Sequence, residues 1–544
     1  MKEYVFKVKK PLVLQIIFST LSTAALAILP YLTKVLFDSL TQKDLRLFLF
    51  LISAYILCNL ANIFFSYIEM IYSWKKSIQF ELNLKKDFFK SIVNYSYKRF
   101  SSKDIGEYIS LQGNEITQLE MDYLSPLVDI FQALITLIVY GVIFFVLIDW
   151  RIALVMIIAS IITLIGPKLT SKRLSEKRKI YLDKMGEYVS KIKDLLEGFK
   201  LIKTSTKNNI IDEHEKTLKE TSKFRFNYGK YKCISMLING AFIYSLNITG
   251  FLVVAYLLYK NEITIGTAVA TLGYLEAFMG PIDRLVYNIN TINSTESIKL
   301  KVLEFLKIEN KIELEHKESL ENSIKFSGVD VKFNNFTLEN FSYEFNKGKK
   351  YALIGHSGSG KSTIINSLMK YVDLSGGEIL IDDKNINEID TDKMITCINQ
   401  YEHIFATDLK NNATVFDSYN FKSLNMLLGT LDKQMIKCIE EKQNSQQLSG
   451  GEKQVISFMR MLLSNSQVLV MDEIFSATDM NTSKRLQDIL MSVTDKTMIM
   501  ITHKLSEELA CFDEILIMNN GKLVESGSYD DISKSQVFKN LKAV

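Results

Sequence analysis

The sequence predicts two fold classes in series, an all-α membrane domain of six helices and then an α/β domain with a phosphate-binding loop. Two observations carry that division. Long apolar runs fill the N-terminal half and are absent after about residue 290. From Ile324 onward, short apolar strands alternate with stretches of helical apolar spacing. Composition agrees: 544 residues suggest several domains, and a hydrophobic fraction of 47% is high for a wholly soluble chain.

A helix needs roughly 20 apolar residues to cross the hydrocarbon core of a bilayer. Six segments meet that length: 11–37, 46–72, 124–148, 151–170, 233–259 and 264–288. Any one of them could be a buried soluble helix, but six in one half of a chain argue for spans. Met1 to Lys10 is basic and leads directly into the first run without a small-residue cleavage pattern, so this start reads as a signal-anchor-like span.

The connections alternate. Residues 38–45, Asp149-Trp150-Arg151 and Lys260-Asn261-Glu262 are short, whereas 73–123 and 171–232 are long, charged and helical in composition. Lys75, Lys76, Lys85, Lys86 and Lys90 lie in the first long connection, and Lys172, Arg173, Lys177, Arg178 and Lys179 open the second. Basic residues beside span ends mark the cytoplasmic side. The expectation is a multi-pass cell-membrane protein with both termini cytoplasmic. The long connections should continue the helices into the cytoplasm, broken at Ile105-Gly106-Glu107-Tyr108, at Glu197-Gly198-Phe199-Lys200 and at Ser205-Thr206-Lys207-Asn208. Such turns suit short transverse helices that touch a cytoplasmic domain.

Ionisable residues inside spans are costly and mark functional candidates. Glu276 lies in the sixth span, Glu69 late in the second and Asp129 early in the third, with Asn59, Asn62, Asn239 and Asn247 adding uncharged polarity. One reading is a polar cavity in which Glu276 favours a cationic or zwitterionic cargo. The other is helix–helix pairing, or for Glu69 and Asp129 the membrane interface. Pro281 should bend the sixth span, because proline removes a backbone donor.

The net charge of +4 gives no global field, so nucleic acid is not an expected partner. Cys58, Cys233, Cys397, Cys438 and Cys511 are scattered and odd in number, without metal or disulfide spacing. Abundant Lys, Ile and Asn fit an AT-rich bacterial genome. The domain boundaries expected are 1–295 for the membrane domain, 296–323 for a linker and 324–544 for the α/β domain.

In that last domain, Tyr351 to Ile354 is a short apolar strand, followed at once by Gly355-His-Ser-Gly-Ser-Gly360-Lys361-Ser362 and then by helical spacing to Lys370. Strand–loop–helix is the context that the pattern G-x-x-x-x-G-K-[ST] requires. Gly355, Gly358 and Gly360, with Ser357, Ser359 and Thr363, would wrap backbone N–H groups round phosphates. Lys361 would reach the β- and γ-phosphates, and Ser362 would ligate Mg²⁺. ATP and Mg²⁺ are therefore the expected cofactors. A second apolar strand, Val468 to Met471, ends in Asp472-Glu473, where one carboxylate can hold Mg²⁺ and the next can polarise a water. Leu448-Ser449-Gly450-Gly451 precedes a helical stretch, and a small-residue turn at a helix N-terminus suits anions. Thr502-His503 follows a third apolar strand.

Four such motifs in this order resemble the ABC transporters, and the layout ahead of them resembles the type IV exporters within that family. Phe100…Asp104-Ile105-Gly106-Glu107…Asn114-Glu115-Ile116 is similar to their first coupling-helix region, and Ile263-Thr264-Ile265-Gly266 and Gly280-Pro281-Ile282 to their markers around the sixth span. The resemblance covers essentially the whole chain. It implies that Phe333 stacks on adenine, that Gln400 senses Mg²⁺, that Asp472 holds the metal and that Glu473 is the catalytic base. It also implies that His503 meets the γ-phosphate, that Asp479 in Ser476-Ala477-Thr478-Asp479 contacts the opposing domain, and that Ser449, Gly450 and Gly451 complete the site of a second subunit. The unit implied is a dimer, of identical chains or of two different ones.

The chain departs from the family's usual pattern at Val455, Asn399, Ile474 and Thr478, the segment between Gln400 and Leu448 is short, and Glu440 to Gln447 is atypical. The function expected is an ATP-driven exporter of an amphipathic cargo, such as a peptide, a bacteriocin or a drug-like molecule. A lipid flippase, or the competent half of a heterodimer, is the alternative. A soluble regulator of the same ATPase class is excluded by the spans, whereas an ATP-gated channel in the same fold is not.

Overall fold

The structure is a computed structural model that describes residues 1–39, 44–163, 165–203, 205–307, 314–333, 337–399, 402–420, 433–442, 447–474, 478–503, 505 and 507–542. Gln400, Ser476 and Ala477, and parts of the 296–323 linker and of the Glu440–Gln447 stretch, lie outside them. The chain divides into two compact units, Met1–Tyr95 with Lys103–Ile308, and Ser96–Ser102 with Glu309–Val544.

The first unit is helical. Five helices among the described residues are long and apolar enough to cross a membrane: Lys9–Ser39, Leu45–Val93, Ile105–Leu147, Lys207–Tyr259 and Ile265–Ser294. They contain five of the six expected spans. The remaining one, 151–170, falls on the helices Trp150–Thr163 and Ile165–Glu197, with Leu164 between them outside the described residues. The helices overrun the apolar runs because their extensions are charged yet keep helical spacing, as Leu45–Val93 does past Trp74.

Local chemistry sets the helix ends. The Asp44 carboxylate accepts from the backbone N–H groups of Arg46 (2.8 Å) and Leu47 (3.3 Å), which starts the second long helix. Thr264 does the same for the last one through the Thr267 N–H at 3.1 Å. Two residues on, Gly266 lets that helix approach the first: a Cβ there would lie 2.4 Å from the Lys34 carbonyl. Asp38 closes the contact, accepting from Gly266 N–H (3.2 Å) and from the Thr264 hydroxyl (3.1 Å). Farther along, the Tyr274 hydroxyl donates to the Ala27 carbonyl at 2.7 Å, and Phe144 stacks on Tyr274 with ring centroids 5.3 Å apart. Pro281 lies inside Ile265–Ser294, which continues as one helix through it.

The expected break at Ile105 is displaced. Asp104 caps a helix that begins at Ile105, accepting from Gly106 N–H at 2.6 Å, so Ile105 to Tyr108 form a first turn and not an interruption. The short helix lies just before it, at Tyr97–Ser101, capped by Ser96. It belongs to the second unit, where the Tyr97 ring packs on Tyr371 at 4.2 Å and Lys98 pairs with Asp373. The break in the second long connection is present as a tight turn over Gly198–Leu201, with a new helix from Lys207.

The second unit is an α/β domain. Its strands are β1 (Glu315–His316), β2 (Ser323–Lys332), β3 (Thr337–Asn346), β4 (Lys350–Gly355), β5 (Gly376–Ile381), β6 (Lys384–Asn385), β7 (Ile389–Asp390), β8 (Ile395–Ile398), β9 (Val468–Asp472), β10 (Thr497–Ile501), β11 (Glu514–Asn519) and β12 (Lys522–Gly527). The main sheet has the order β12-β11-β4-β10-β9-β8, parallel except for β12. A four-stranded antiparallel sheet, β3-β2-β5-β6, stands beside it.

Ala352 and Ile354 of β4 enter one core, and Tyr351 and Leu353 enter the other. Burial on both faces is why β4, β9 and β10 read as continuous apolar runs instead of alternating ones. Parallel pairing has a second consequence. The C-terminal ends of β4, β10 and β9 emerge side by side, and every motif that follows a strand is delivered to one edge.

Candidate nucleotide site

That edge is built from three strand ends. β4 ends at Gly355, whose φ is +149° and whose Cβ, were there one, would lie 2.2 Å from the Met518 carbonyl of β11. Only glycine fits there. The loop then turns through left-handed Gly358 (φ +78°) and Gly360 (φ +104°), and Gly360 starts the helix Lys361–Leu368. Gly358 faces open space, so a ligand can approach its backbone closely. Ser357 is exposed, while the Ser359 hydroxyl is buried without a hydrogen-bond partner among the described residues. Thr363 N–H bonds the Gly360 carbonyl at 3.1 Å.

Lys361 is 5% exposed and donates to the carbonyls of Gly355 (2.8 Å) and His356 (2.9 Å). Burial pulls its pKa down, and the carboxylates of Glu473 and Asp472 oppose that. An ammonium held under a glycine loop with acidic neighbours suits a polyphosphate. Ser362 donates to Asp472 Oδ2 at 2.9 Å. Burial pushes the Asp472 carboxyl above its ordinary range, with Glu473 adding to the rise and Ser362, Lys361 and His503 pulling it back. Such a carboxylate is short of positive charge. A hydroxyl and a carboxylate in contact are hard oxygen donors that fit Mg²⁺.

Glu473 follows β9 in a left-handed conformation (φ +53°), uncommon for a non-glycine residue and typical of functional turns. Its N–H bonds the Ile501 carbonyl at 3.2 Å, which ties the turn to the end of β10. His503, two residues beyond β10, places Nε2 2.6 Å from Glu473 Oε1. The structure thus brings Lys361, Ser362, Asp472, Glu473 and His503 together from three separate stretches of sequence.

The other predicted positions are distributed. Ser449 caps the helix Gly450–Leu463, with Gly450 and Gly451 in its first turn. Asp479 caps Met480–Ser492, accepting from Asn481 and Thr482 N–H at 3.0 Å each, and the Thr482 hydroxyl together with those N–H groups holds its carboxyl below the usual range. Phe333 follows β2 and is 48% exposed, as a stacking surface must be.

Two further residues were missed by sequence reading. Lys442 Nζ contacts both Glu452 carboxylate oxygens, at 2.6 and 2.7 Å. Arg460 donates to the Asn412 carbonyl (2.6 Å), the His403 carbonyl (2.6 Å) and Asn412 Oδ1 (2.8 Å), which ties the helix Gly450–Leu463 to the segment after β8. The available signal for Arg460 was a charge beside the buried Ile456, Met459 and Leu463 on one helix.

In the membrane unit, Glu69 Oε1 accepts from Gln15 (2.9 Å) and Gln132 (3.2 Å), so it pairs three helices. Asp129 neighbours Arg284 and Asn288. Glu276 is exposed in the single chain. Cys397 is half-buried, and desolvation pushes its thiol up to about 12, as suits an inert side chain.

Residues 12–282 match the family described as ABC transporter transmembrane region, and residues 338–476 match that described as ABC transporter. The chain is 27% identical to an ATP-dependent lipid A-core flippase of Pasteurella multocida, over 71% of this chain and 69% of that protein. It is 22% identical to a putative multidrug export ATP-binding/permease protein of Bacillus subtilis, over 83% and 81%. It is 26% identical to a β-(1→2)glucan export ATP-binding/permease protein of Bartonella henselae, over 73% and 70%. Among solved structures, that of a bacterial Atm1-family ABC exporter with ATP bound superposes with a TM-score of 0.86 at 19% identity, covering 98% of each chain.

Proposed function

Because this chain belongs to the ABC transporters, with a multi-pass membrane region and an ATPase domain on one polypeptide, we propose that ATP turnover at the β4–β9–β10 edge drives outward passage of an amphipathic cargo. The contact of Glu473 with His503, beside Lys361, Ser362 and Asp472, carries this reading. Phosphoryl transfer to water needs positioning and charge neutralisation more than covalent chemistry. Glu473 orients the attacking water, and His503 holds Glu473 and meets the γ-phosphate. Lys361 takes up phosphate charge, and Phe333 stacks on the adenine. Ser362, Asp472 and Gln400 would hold Mg²⁺, which would supply charge neutralisation for the phosphates.

ABC exporters function as dimers. Here Ser449, Gly450 and Gly451 of one subunit complete the phosphate-loop site of the other, with Asp479 near the seam. Two bound ATP molecules draw the nucleotide domains together, and hydrolysis releases them. Closure reaches the spans through Tyr97–Ser101 and the turn near Ser205, and both termini lie in the cytoplasm. The cargo is a peptide, bacteriocin or drug-like amphiphile. The flippase among the relatives supports a lipid cargo and the multidrug exporter a drug-like one, and a complete set of catalytic residues serves a homodimer or one half of a heterodimer.

The test is vanadate-sensitive ATPase activity of the full chain in lipid nanodiscs beside Glu473→Gln. Activity lost in the variant supports a self-sufficient homodimer with Glu473 as base. Full turnover in the variant sinks that role. No activity in either form points to a second, different subunit, sought as a co-purifying chain.

A further inference from the structure

The long helix Ile105–Leu147 is not α-helical throughout. Two π-turns interrupt it, Leu111–Glu115 and Glu120–Leu124, and no other described helix contains one. Each is closed by a bond that reaches five residues back, from Ile116 N–H to the Leu111 carbonyl and from Ser125 N–H to the Glu120 carbonyl. Such turns are rare and gather at functional sites. The sequence supplies part of the cause. Gly113, a poor α-helix former, lies in the first turn. Pro126 follows the second, has no N–H, and in an α-helix would crowd the carbonyl of Asp122. Tertiary contacts then hold both turns from two sides. On one side, the helix Leu45–Val93 brings Lys76, 1% exposed, which donates to the Ser125 hydroxyl at 3.4 Å. Ser125 donates in turn to the buried Glu120 carboxylate at 2.6 Å, and the Ser77 hydroxyl donates to the same oxygen. On the other side stands the chain that follows the helix Ile265–Ser294. The Thr295 hydroxyl lies 3.3 Å from the Asp122 carbonyl, which Pro126 deprives of its α-helical donor, and 2.8 Å from the Thr291 carbonyl. One proton serves two acceptors, so that bond can change hands. Lys301, on the helix Glu296–Phe305, pairs with Glu115 of the first turn at 3.0 Å and with Glu107 at 3.4 Å. The membrane unit ends at Ile308, so Thr295 and Lys301 sit on the last stretch of chain before the nucleotide domain.

We propose that Leu111–Leu124 is a hinge at which the start of this helix bends against its membrane span, and that Thr295 and Lys301 are the grip through which ATP binding bends it. The inference rests on the exporter reading for one point only, that ATP binding moves the membrane unit. An unbroken α-helix resists bending, whereas π-turns and prolines are where long helices bend. Lys76, Ser77 and Glu120 fix the pivot to the neighbouring helix, because an ammonium and a carboxylate this deeply buried lose heavily if either is left without its partners. The gripping side is looser. Thr295 can return its proton to Thr291 within its own helix, and Lys301 can trade Glu115 for Glu107. This route runs along the covalent chain and is separate from the one proposed through Tyr97–Ser101.

The experiment follows hydrogen–deuterium exchange of the full chain in lipid nanodiscs, with any co-purifying subunit retained. Exchange is compared without nucleotide and with Mg²⁺ and adenylyl imidodiphosphate, an analogue that requires binding but no turnover. Native mass spectrometry confirms the bound analogue, and ATPase activity is read separately. Amides of 111–125 should differ about tenfold in exchange between the two states, while those of 128–140 on the same helix stay within about twofold. Thr295→Val with Lys301→Gln should shrink the difference at 111–125 to less than about twofold, and Thr295→Ser with Lys301→Arg should restore it. Pro126→Ala returns an N–H to the Asp122 carbonyl and favours α-helix, so it should slow exchange in both states and remove the difference. Should the Val/Gln variant fail to fold, Pro126→Ala decides alone. No difference in wild type with the analogue bound overturns the inference, and so does a full difference in either altered protein. A difference at 111–125 in a chain without ATPase activity leaves the hinge standing and counts against the proposed function instead.

Discussion

Lys442 Nζ lies 2.6 and 2.7 Å from the two carboxylate oxygens of Glu452, and Glu452 in turn accepts the Ser449 N–H at 2.7 Å. Ser449 Oγ in turn accepts from Glu452 N–H at 3.3 Å, which completes a capping box at the head of the helix Gly450–Leu463. Without Lys442, an uncompensated negative charge would stand where the proposed dimer brings in ATP phosphates. Lys442→Ala should lower ATPase kcat roughly tenfold, as befits the loss of a charge-assisted pair, with Lys442→Arg retaining most activity. Binding of a fluorescent ATP analogue to the phosphate loop should be unchanged. Equal loss of binding and turnover would show that the pair only supports folding.

The Ser362–Asp472 contact predicts a metal requirement. Chelation with EDTA should abolish turnover, and Mg²⁺ should restore it. Ser362→Ala should raise the Mg²⁺ concentration for half-maximal activity about tenfold by removing one oxygen donor. A titration of activity against free Mg²⁺ checks this, and an unchanged midpoint would count against Ser362 as a ligand.

Gly355 should tolerate no side chain. Alanine would meet the Met518 carbonyl at 2.2 Å in a backbone region with φ of +149°. Gly355→Ala should cost more than about 2 kcal/mol of nucleotide-domain stability and displace the loop. Thermal melts and ATP binding measured together check both effects. Gly358→Ala faces open space but sits at φ +78°, so it should cost about 1–2 kcal/mol, less than Gly355→Ala, while weakening nucleotide binding.

Asp382 predicts an acid-sensitive joint. Burial alone would raise its carboxyl, but the backbone N–H groups of Glu321, Asn322 and Ser323 and the Lys317 ammonium outweigh burial and hold the pKa below the usual value. A depressed carboxylate contributes stability that is complete above its unfolded pKa, about 3.9, and is lost as pH falls through the lower folded value. The Tm of wild type should therefore fall below about pH 4 more steeply than that of Asp382→Asn, which should be the less stable protein at pH 7. Parallel slopes would remove Asp382 from the account.

Sequence alone determined the chemistry that is local. The phosphate loop, the Asp472-Glu473 strand end and His503 after an apolar strand were all legible, because each functional residue follows a strand whose burial on both faces writes an unbroken apolar run. Span positions were legible for a similar reason, since a bilayer demands length and apolarity whatever the neighbours. Relations between distant segments were decided by tertiary structure. The 2.6 Å contact of Glu473 with His503 depends on β9 and β10 pairing in parallel, and Arg460 reaching Asn412 depends on the helix Gly450–Leu463 packing against the helix Leu409–Thr414. The short helix lies at Tyr97–Ser101 and not at Ile105 because Ser96 caps the one and Asp104 caps a new helix that starts at the other. Asn239 and Asn290 are a clear case: each is an ordinary polar residue in the sequence, and only helix packing buries its Oδ1 without a hydrogen-bond partner among the described residues.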